Sequence, residues 1–235
     1  MTSTPSSKTV LFWIAVGAAI FVSLFSVATA HAQEAPAEDG ISVTAYADFV
    51  GGRDFGDQGF SLTDDPVVEF GVTACSGAWC ADLWRAESLV GNVADHETDL
   101  SVIRTDTVGD FTVETKFAFL ELDGPEVWDV KLTVSHDLGE RCEASASYEV
   151  MWAGFNDHVT KGEVACSFPT PVQGLTVDAS GAVAYSTWSG SVTPSYQLGL
   201  GYELRPGLSA SLYLKGYEGQ DDGNVLLGLG ISQTW

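Results

Sequence analysis

The sequence predicts an all-β fold, a transmembrane antiparallel up-and-down β-barrel of about twelve strands. Three observations carry that expectation. Apolar and polar residues alternate with period two in segment after segment, a spacing that lines one face of a strand and that no helix reproduces. Short and long connections alternate along the chain, as in barrels whose short turns lie on the periplasmic side. The last segment, residues 224–235, alternates over a length that crosses a bilayer as a tilted strand and stops on an aromatic residue, Trp235.

Residues 1–32 read as a secretory signal peptide. Lys8 precedes the apolar run 10–27, and Ala30-His31-Ala32 is an Ala-x-Ala cleavage site, so the mature chain is expected to begin at Gln33. A single membrane-spanning helix is the rival reading of that run. Residues 33–40 are short, polar and acidic, a disordered lead-in. Residues 41–235 form the barrel.

The first strand sets Ile41, Val43, Ala45, Ala47 and Phe49 against Ser42, Thr44, Tyr46 and Asp48. Residues 68–74 set Val68, Phe70 and Val72 against Glu69, Gly71 and Thr73. Residues 111–119 set Phe111, Val113, Phe117 and Phe119 against Thr112, Glu114 and Lys116, and residues 128–134 set Trp128, Val130, Leu132 and Val134 against Asp129 and Lys131. Further strands follow at 143–152, 175–185, 196–204, 208–215 and 224–235. Two weakly patterned segments, 80–87 and 100–105, and a short one, 163–168, complete the count; for the weak pair the choice of face is open. Long polar connections are expected at 51–65, 88–98, 154–162, 187–193 and 218–222. Twelve strands would place both termini in the periplasm.

The chain has 32 Asp and Glu against 10 Lys and Arg, a net charge of -22, which excludes nucleic acid as a partner because phosphates would be repelled. The acidic residues assigned to the inner face are Asp48, Glu69, Glu114, Asp129, Glu143, Glu149, Glu163, Asp178 and Glu203; the basic ones are Lys116, Lys131 and Lys215. Such a lumen would concentrate cations and reject anions. The competing expectation is that these charges pair off, Glu114 with Lys116 and Asp129 with Lys131, and fill the interior. Trp128, Trp152, Trp188 and Tyr196 at loop ends, with Trp235, Tyr202, Phe168 and Phe111 at turn ends, read as two aromatic girdles. A soluble barrel, with its apolar face inward, is the alternative architecture.

The four cysteines, Cys75, Cys80, Cys142 and Cys166, suggest two disulfides in an exported chain, with three possible connectivities. Cys75 and Cys80 flank a short turn. Cys142 and Cys166 become directly opposed if Gly154 is the midpoint of their hairpin. A tetrathiolate zinc site is the other reading. No cofactor is expected and no catalytic set stands out. His96 beside Asp95, and His158 beside Asp157, fall in expected outer loops and are the residues on which a membrane-embedded hydrolase would rest. The carboxylates Asp54, Asp57, Asp64, Asp65, Asp221 and Asp222 read as loop-solvating rather than as a site for a divalent cation bridging lipopolysaccharide. Expected partners are outer-membrane lipid and lipopolysaccharide, the barrel assembly machinery and small solutes; the oligomeric state is open.

Short motifs, Glu69-Phe-Gly-Val-Thr73, Gly77-Ala-Trp79, Asp82-Leu-Trp-Arg-Ala-Glu-Ser88, Glu97-Thr-Asp-Leu-Ser101, Gly109-Asp-Phe-Thr-Val113 and Gln173-Gly-Leu-Thr-Val177, resemble the TorF family of outer-membrane porins. The chain departs from that pattern at Lys116-Phe-Ala-Phe119, where the family has a tyrosine-rich strand, and in its cysteines. The resemblance implies a barrel and a porin, and carries no substrate or catalytic residue. The expected function is passive diffusion of cations or small polar solutes through an acidic lumen, with a barrel hydrolase and a closed structural or adhesive barrel as rivals.

Overall fold

The structure, a computed structural model, describes residues 40–55, 60–63, 65–90, 96–122, 126–152, 156–218 and 224–235. The signal and nearly all of the lead-in lie outside the described residues.

Among the described residues fourteen strands follow one another: β1 (Ser42–Val50), β2 (Arg53–Phe55), β3 (Phe60–Thr63), β4 (Val67–Ser76), β5 (Trp79–Ser88), β6 (Glu97–Val108), β7 (Phe111–Leu122), β8 (Glu126–Asp137), β9 (Cys142–Trp152), β10 (Asn156–Pro169), β11 (Leu175–Ser186), β12 (Val192–Arg205), β13 (Leu208–Tyr217) and β14 (Asn224–Thr234). Twelve of them close into one antiparallel barrel in the order β1-β14-β13-β12-β11-β10-β9-β8-β7-β6-β5-β4, while β2 and β3 form a separate hairpin in the connection between β1 and β4. The ring closes where β1 pairs with β14, Ala47 opposite Ile231 and Phe49 opposite Leu229.

Which face points outward is settled by exposure. Phe70, Val72, Leu83, Leu100, Val102, Phe117, Leu132, Leu198, Leu200, Leu227 and Leu229 lie exposed on the outside. A barrel folded for water would turn these side chains in, because a contiguous apolar belt in water is unfavourable.

Five short turns close one end of the barrel, and each holds one glycine with positive φ: Gly77, Gly109, Gly139, Gly174 and Gly207. Any residue with a Cβ is strained there, so these glycines specify where the chain reverses. Elsewhere glycine makes room for a neighbour. Gly228 on β14 lies under the ring of Tyr213, its register partner on β13, and Gly71 on β4 lies under the hydroxyl end of Tyr46. Gly228→Val should force the Tyr213 ring off the wall and cost about 1–3 kcal/mol, as overpacking does, read as a lower urea midpoint of the refolded barrel; an unchanged midpoint would contradict this packing.

Several boundaries differ from expectation. β5 and β6 run from 79 to 88 and from 97 to 108, longer than the segments 80–87 and 100–105. β10 begins at Asn156, so most of the long loop expected at 154–162 is strand, and the segment 163–168 is only its second half. The loop expected at 51–65 contains the β2–β3 pair.

Candidate pore and its two levels

Both disulfides lie toward the turn end. Cys75 and Cys80 are opposite each other on β4 and β5 and are bonded, sealing the turn between them. Cys142 and Cys166 are opposite each other on β9 and β10, with Cα atoms 4.1 Å apart, and are bonded. Their common register midpoint is residue 154, as the spacing required.

The inner wall carries polar side chains from the turn end up to the residues beside Val50, Val67 and Leu226. Asp48 faces Glu69 across β1–β4. Asp82 accepts hydrogen bonds from Thr73 Oγ1 at 2.5 Å and from Tyr46 Oη at 3.3 Å. Thr176 Oγ1 donates to Asp178 Oδ2 at 3.1 Å. Glu114 lies opposite Thr133, and Lys215 opposite Gln197. Glu203 is exposed near the rim, one residue from the register shift in β12. A cavity of about 510 Å³, whose lining includes Asp137, Glu143, Glu163, Asp178, Ser180 and Gln197, opens at this end.

The lysines do not pair as expected. Lys131 lies opposite Lys116 and bridges Glu149 across β8–β9 at 3.4 Å, rather than Asp129 on its own strand. Residues two apart on a strand share a face but diverge along it, whereas a register neighbour is closer. Asp129 is buried, with Glu149, Lys116 and Lys131 acting on it. Lys161, absent from the expected set, bridges Glu163 at 3.0 Å. Asp82, Glu97 and Asp99 also face inward and were missed, because the faces of β5 and β6 were undecided.

Toward the loop end the inner wall changes character. Val127, Met151, Val159 and Ala184 form one buried cluster across β8–β11, with Leu120 packed on it. Val50, Val67 and Leu226 form a second across β1, β4 and β14, on the opposite side of the ring. Ala86, Ala118 and Tyr217 extend this level round β5, β7 and β13, and buried polar side chains share it: Glu97 and Ser101 on β6, Asp129 on β8, Asp157 on β10, Ser186 on β11 and Thr193 on β12. Each of the twelve barrel strands thus contributes at least one residue to this level that is no more than 9% exposed.

The histidine neighbours fall apart on alternation. Asp157 points inward, 1% exposed, and accepts from Ser186 Oγ at 3.0 and 2.9 Å, Thr187 Oγ1 at 3.0 Å and Trp188 N at 2.9 Å. His158 points outward, with Nδ1 2.7 Å from Tyr148 Oη. His96 Nδ1 meets Glu87 at 3.0 Å, and Asp95 lies outside the described residues. Of the six loop carboxylates, Asp57, Asp64, Asp221 and Asp222 lie outside the described residues, as does the side chain of Asp54; among the described residues no group of three potential ligands gathers.

The aromatic residues lie at the strand ends. Trp128 and Trp152 are register partners on β8 and β9 and exposed, Trp188 sits in the β11–β12 connection, and Tyr196 and Tyr202 are exposed toward the two ends of β12. Phe111 and Phe168 are exposed at the turn end, and Trp235 pairs with Val43 through hydrogen bonds of 2.9 and 3.2 Å.

No family model matches the chain, and no curated protein is similar to it in sequence. Solved structures are similar in fold. The KdgM porin superposes with a TM-score of 0.59 at 9% identity, over 82% of this chain and 98% of that one. The COG4313 outer membrane channel from Pseudomonas putida F1 gives 0.52 at 8% identity, over 86% and 100%. The translocator domain of the autotransporter NalP from Neisseria meningitidis gives 0.57 at 12% identity, over 94% and 96%. At these identities the likeness shows a shared barrel fold.

Proposed function

We propose that the protein is a porin-like channel of a Gram-negative outer membrane, passing small cations and polar solutes by diffusion. One observation carries this reading: a closed ring of twelve strands whose apolar residues face out while carboxylates line its inner wall. The exposed leucine and valine belt suits lipid, and the aromatic residues at both strand ends suit the two interfaces, including lipopolysaccharide on the outer side. The signal-like N-terminus supports export, and the terminal strand ending in Trp235 suits recognition by the barrel assembly machinery. The short TorF-like motifs are consistent with the same assignment.

Carboxylates set the selectivity. Asp48, Glu69, Glu114, Glu143, Asp178 and Glu203 share the lumen with few lysines, two of which, Lys131 and Lys161, are already bridged to glutamates. Such a wall raises the local cation concentration. KdgM has been solved in complex with disordered oligogalacturonate, a polyanion; this lumen would repel one.

Refolded protein in a planar bilayer under a KCl gradient is expected to give discrete conductance steps with a reversal potential biased toward the K⁺ equilibrium potential. Absence of steps would refute the channel, and an anion-biased potential would refute the acidic-lumen mechanism.

A further inference from the structure

We propose that solutes cross the lumen off its axis, along the inner wall of β9–β12, and that Glu143, Glu163 and Asp178 on that wall set the charge preference. This inference rests on the channel reading and names the part of the wall that the solute meets.

The two halves of the ring are furnished differently. From β5 to β8 long side chains point inward, among them Trp84, Ile103, Lys116 and Lys131. Lys116, Lys131 and Glu149 converge on Asp129. Beside them Ser101 and Ala118, register partners on β6 and β7, are 1% and 0% exposed. Small side chains vanish from solvent only where larger neighbours close over them, so this half is filled. From β9 to β12 the inward residues include many short ones: Ser145, Ser147, Ala165, Ser180, Ala182 and Gly199. The cavity of about 510 Å³ extends along this wall, lined by Glu143, Asp178, Ser180, Glu163 and Gln197.

Depth does not explain the contrast. Gln197 lies farther from its turn glycine, Gly207, than Ser101 and Ala118 lie from theirs, Gly109. Yet Gln197 is exposed and those two are buried. A ring of twelve strands is wider than the eight-stranded ring that side chains just fill. Long side chains gathered on one arc leave the spare width on the other.

A fixed charge acts most on the ions with which it shares water, since salt screens it beyond about 10 Å. Glu143, Glu163 and Asp178 line the open side. On the filled side Asp82 is turned to the hydroxyls of Thr73 and Tyr46, and Asp129 is buried.

Thiol labelling tests the path. All four native cysteines are in disulfides, so an introduced thiol is the only free one. In planar bilayers a trimethylammonium methanethiosulfonate reagent should modify Ser180→Cys and Gln197→Cys. Modification should lower K⁺ conductance severalfold and move the cation-biased reversal potential toward zero. Ser101→Cys and Ala118→Cys in vesicles should stay unmodified by mass until unfolded in urea. Glu143→Gln with Asp178→Asn should remove more of the bias than Asp48→Asn with Glu69→Gln. Heat-modifiable electrophoretic mobility identifies the folded variants, and two positions on each arc guard against one failing to fold. Unreactive thiols at 180 and 197, equal labelling of the two arcs, or an equal or larger shift from the Asp48–Glu69 pair overturns the off-axis path while the channel reading stands. If neither native protein nor any folded variant conducts, the channel reading falls and this inference with it.

Discussion

Asp157→Ala is expected to destabilise the barrel by about 3 kcal/mol, because a buried carboxylate that accepts several hydrogen bonds is replaced by a methyl group and its donors are stranded. Asp157 is the anchor of the β11–β12 connection: Ser186, Thr187 and the Trp188 amide all donate to it. Thr187 ties the same region again, its hydroxyl accepting from His158 N at 3.0 Å and its amide donating to His158 O at 3.1 Å. Losing the carboxylate leaves the Trp188 amide without its acceptor and should free the connection. Asp157→Asn keeps one acceptor oxygen and should lose markedly less. Tryptophan-fluorescence urea titration of vesicle-inserted protein reads both, and equal losses in the two variants would show that the charge-assisted bonds are not the source.

The second large effect is expected from Cys142 and Cys166. Their bond spans 24 residues, so in the chain-entropy account its removal by paired serine substitution costs about 3.5 kcal/mol. The Cys75–Cys80 bond spans 5 residues, and its removal should cost only about 2 kcal/mol. The ordering is the discriminating quantity. Each bond joins two facing residues, so both pin strand register, but only the longer one holds together the free end of a hairpin whose own connection lies at the other end of the barrel. Urea midpoints of the two paired variants test this, and a larger loss from the short-range pair would refute the loop-length explanation.

Much of the barrel was legible because lipid and lumen impose opposite demands on successive residues. The strands from Phe111, Leu175 and Leu208 alternate cleanly and appear close to where they were expected. The failures share physical causes. On β5 and β6 the outer face carries ion pairs, Arg85 with Glu87 and Arg104 with Asp106, the latter at 2.8 Å beneath Trp79, while Trp84 and Ile103 face in. Charged groups outside and apolar groups inside cancel the period-two signal. The start of β10 was missed for a related reason: Val159 points into the lumen while His158 and Thr160 point out, which inverts the pattern where the strand begins. The disulfides were readable because spacing alone placed each pair face to face. The pairing of Lys131 with Glu149 was not, since it depends on cross-strand register rather than on neighbours in the chain.

The junction of β1 and β14 has a consequence for biogenesis. Thr44 and Thr234, joined through their hydroxyls at 2.9 Å, are 190 residues apart in the chain. Every other neighbouring pair of barrel strands is consecutive along the ring path, so a polypeptide emerging N-terminus first has two bare edges until this last seam is sewn. Such edges invite pairing with other chains, and a closure that joins the remotest parts of the molecule is slow. The unfinished ring therefore needs custody during transit, and shortening its tail should leave it open rather than merely weaker.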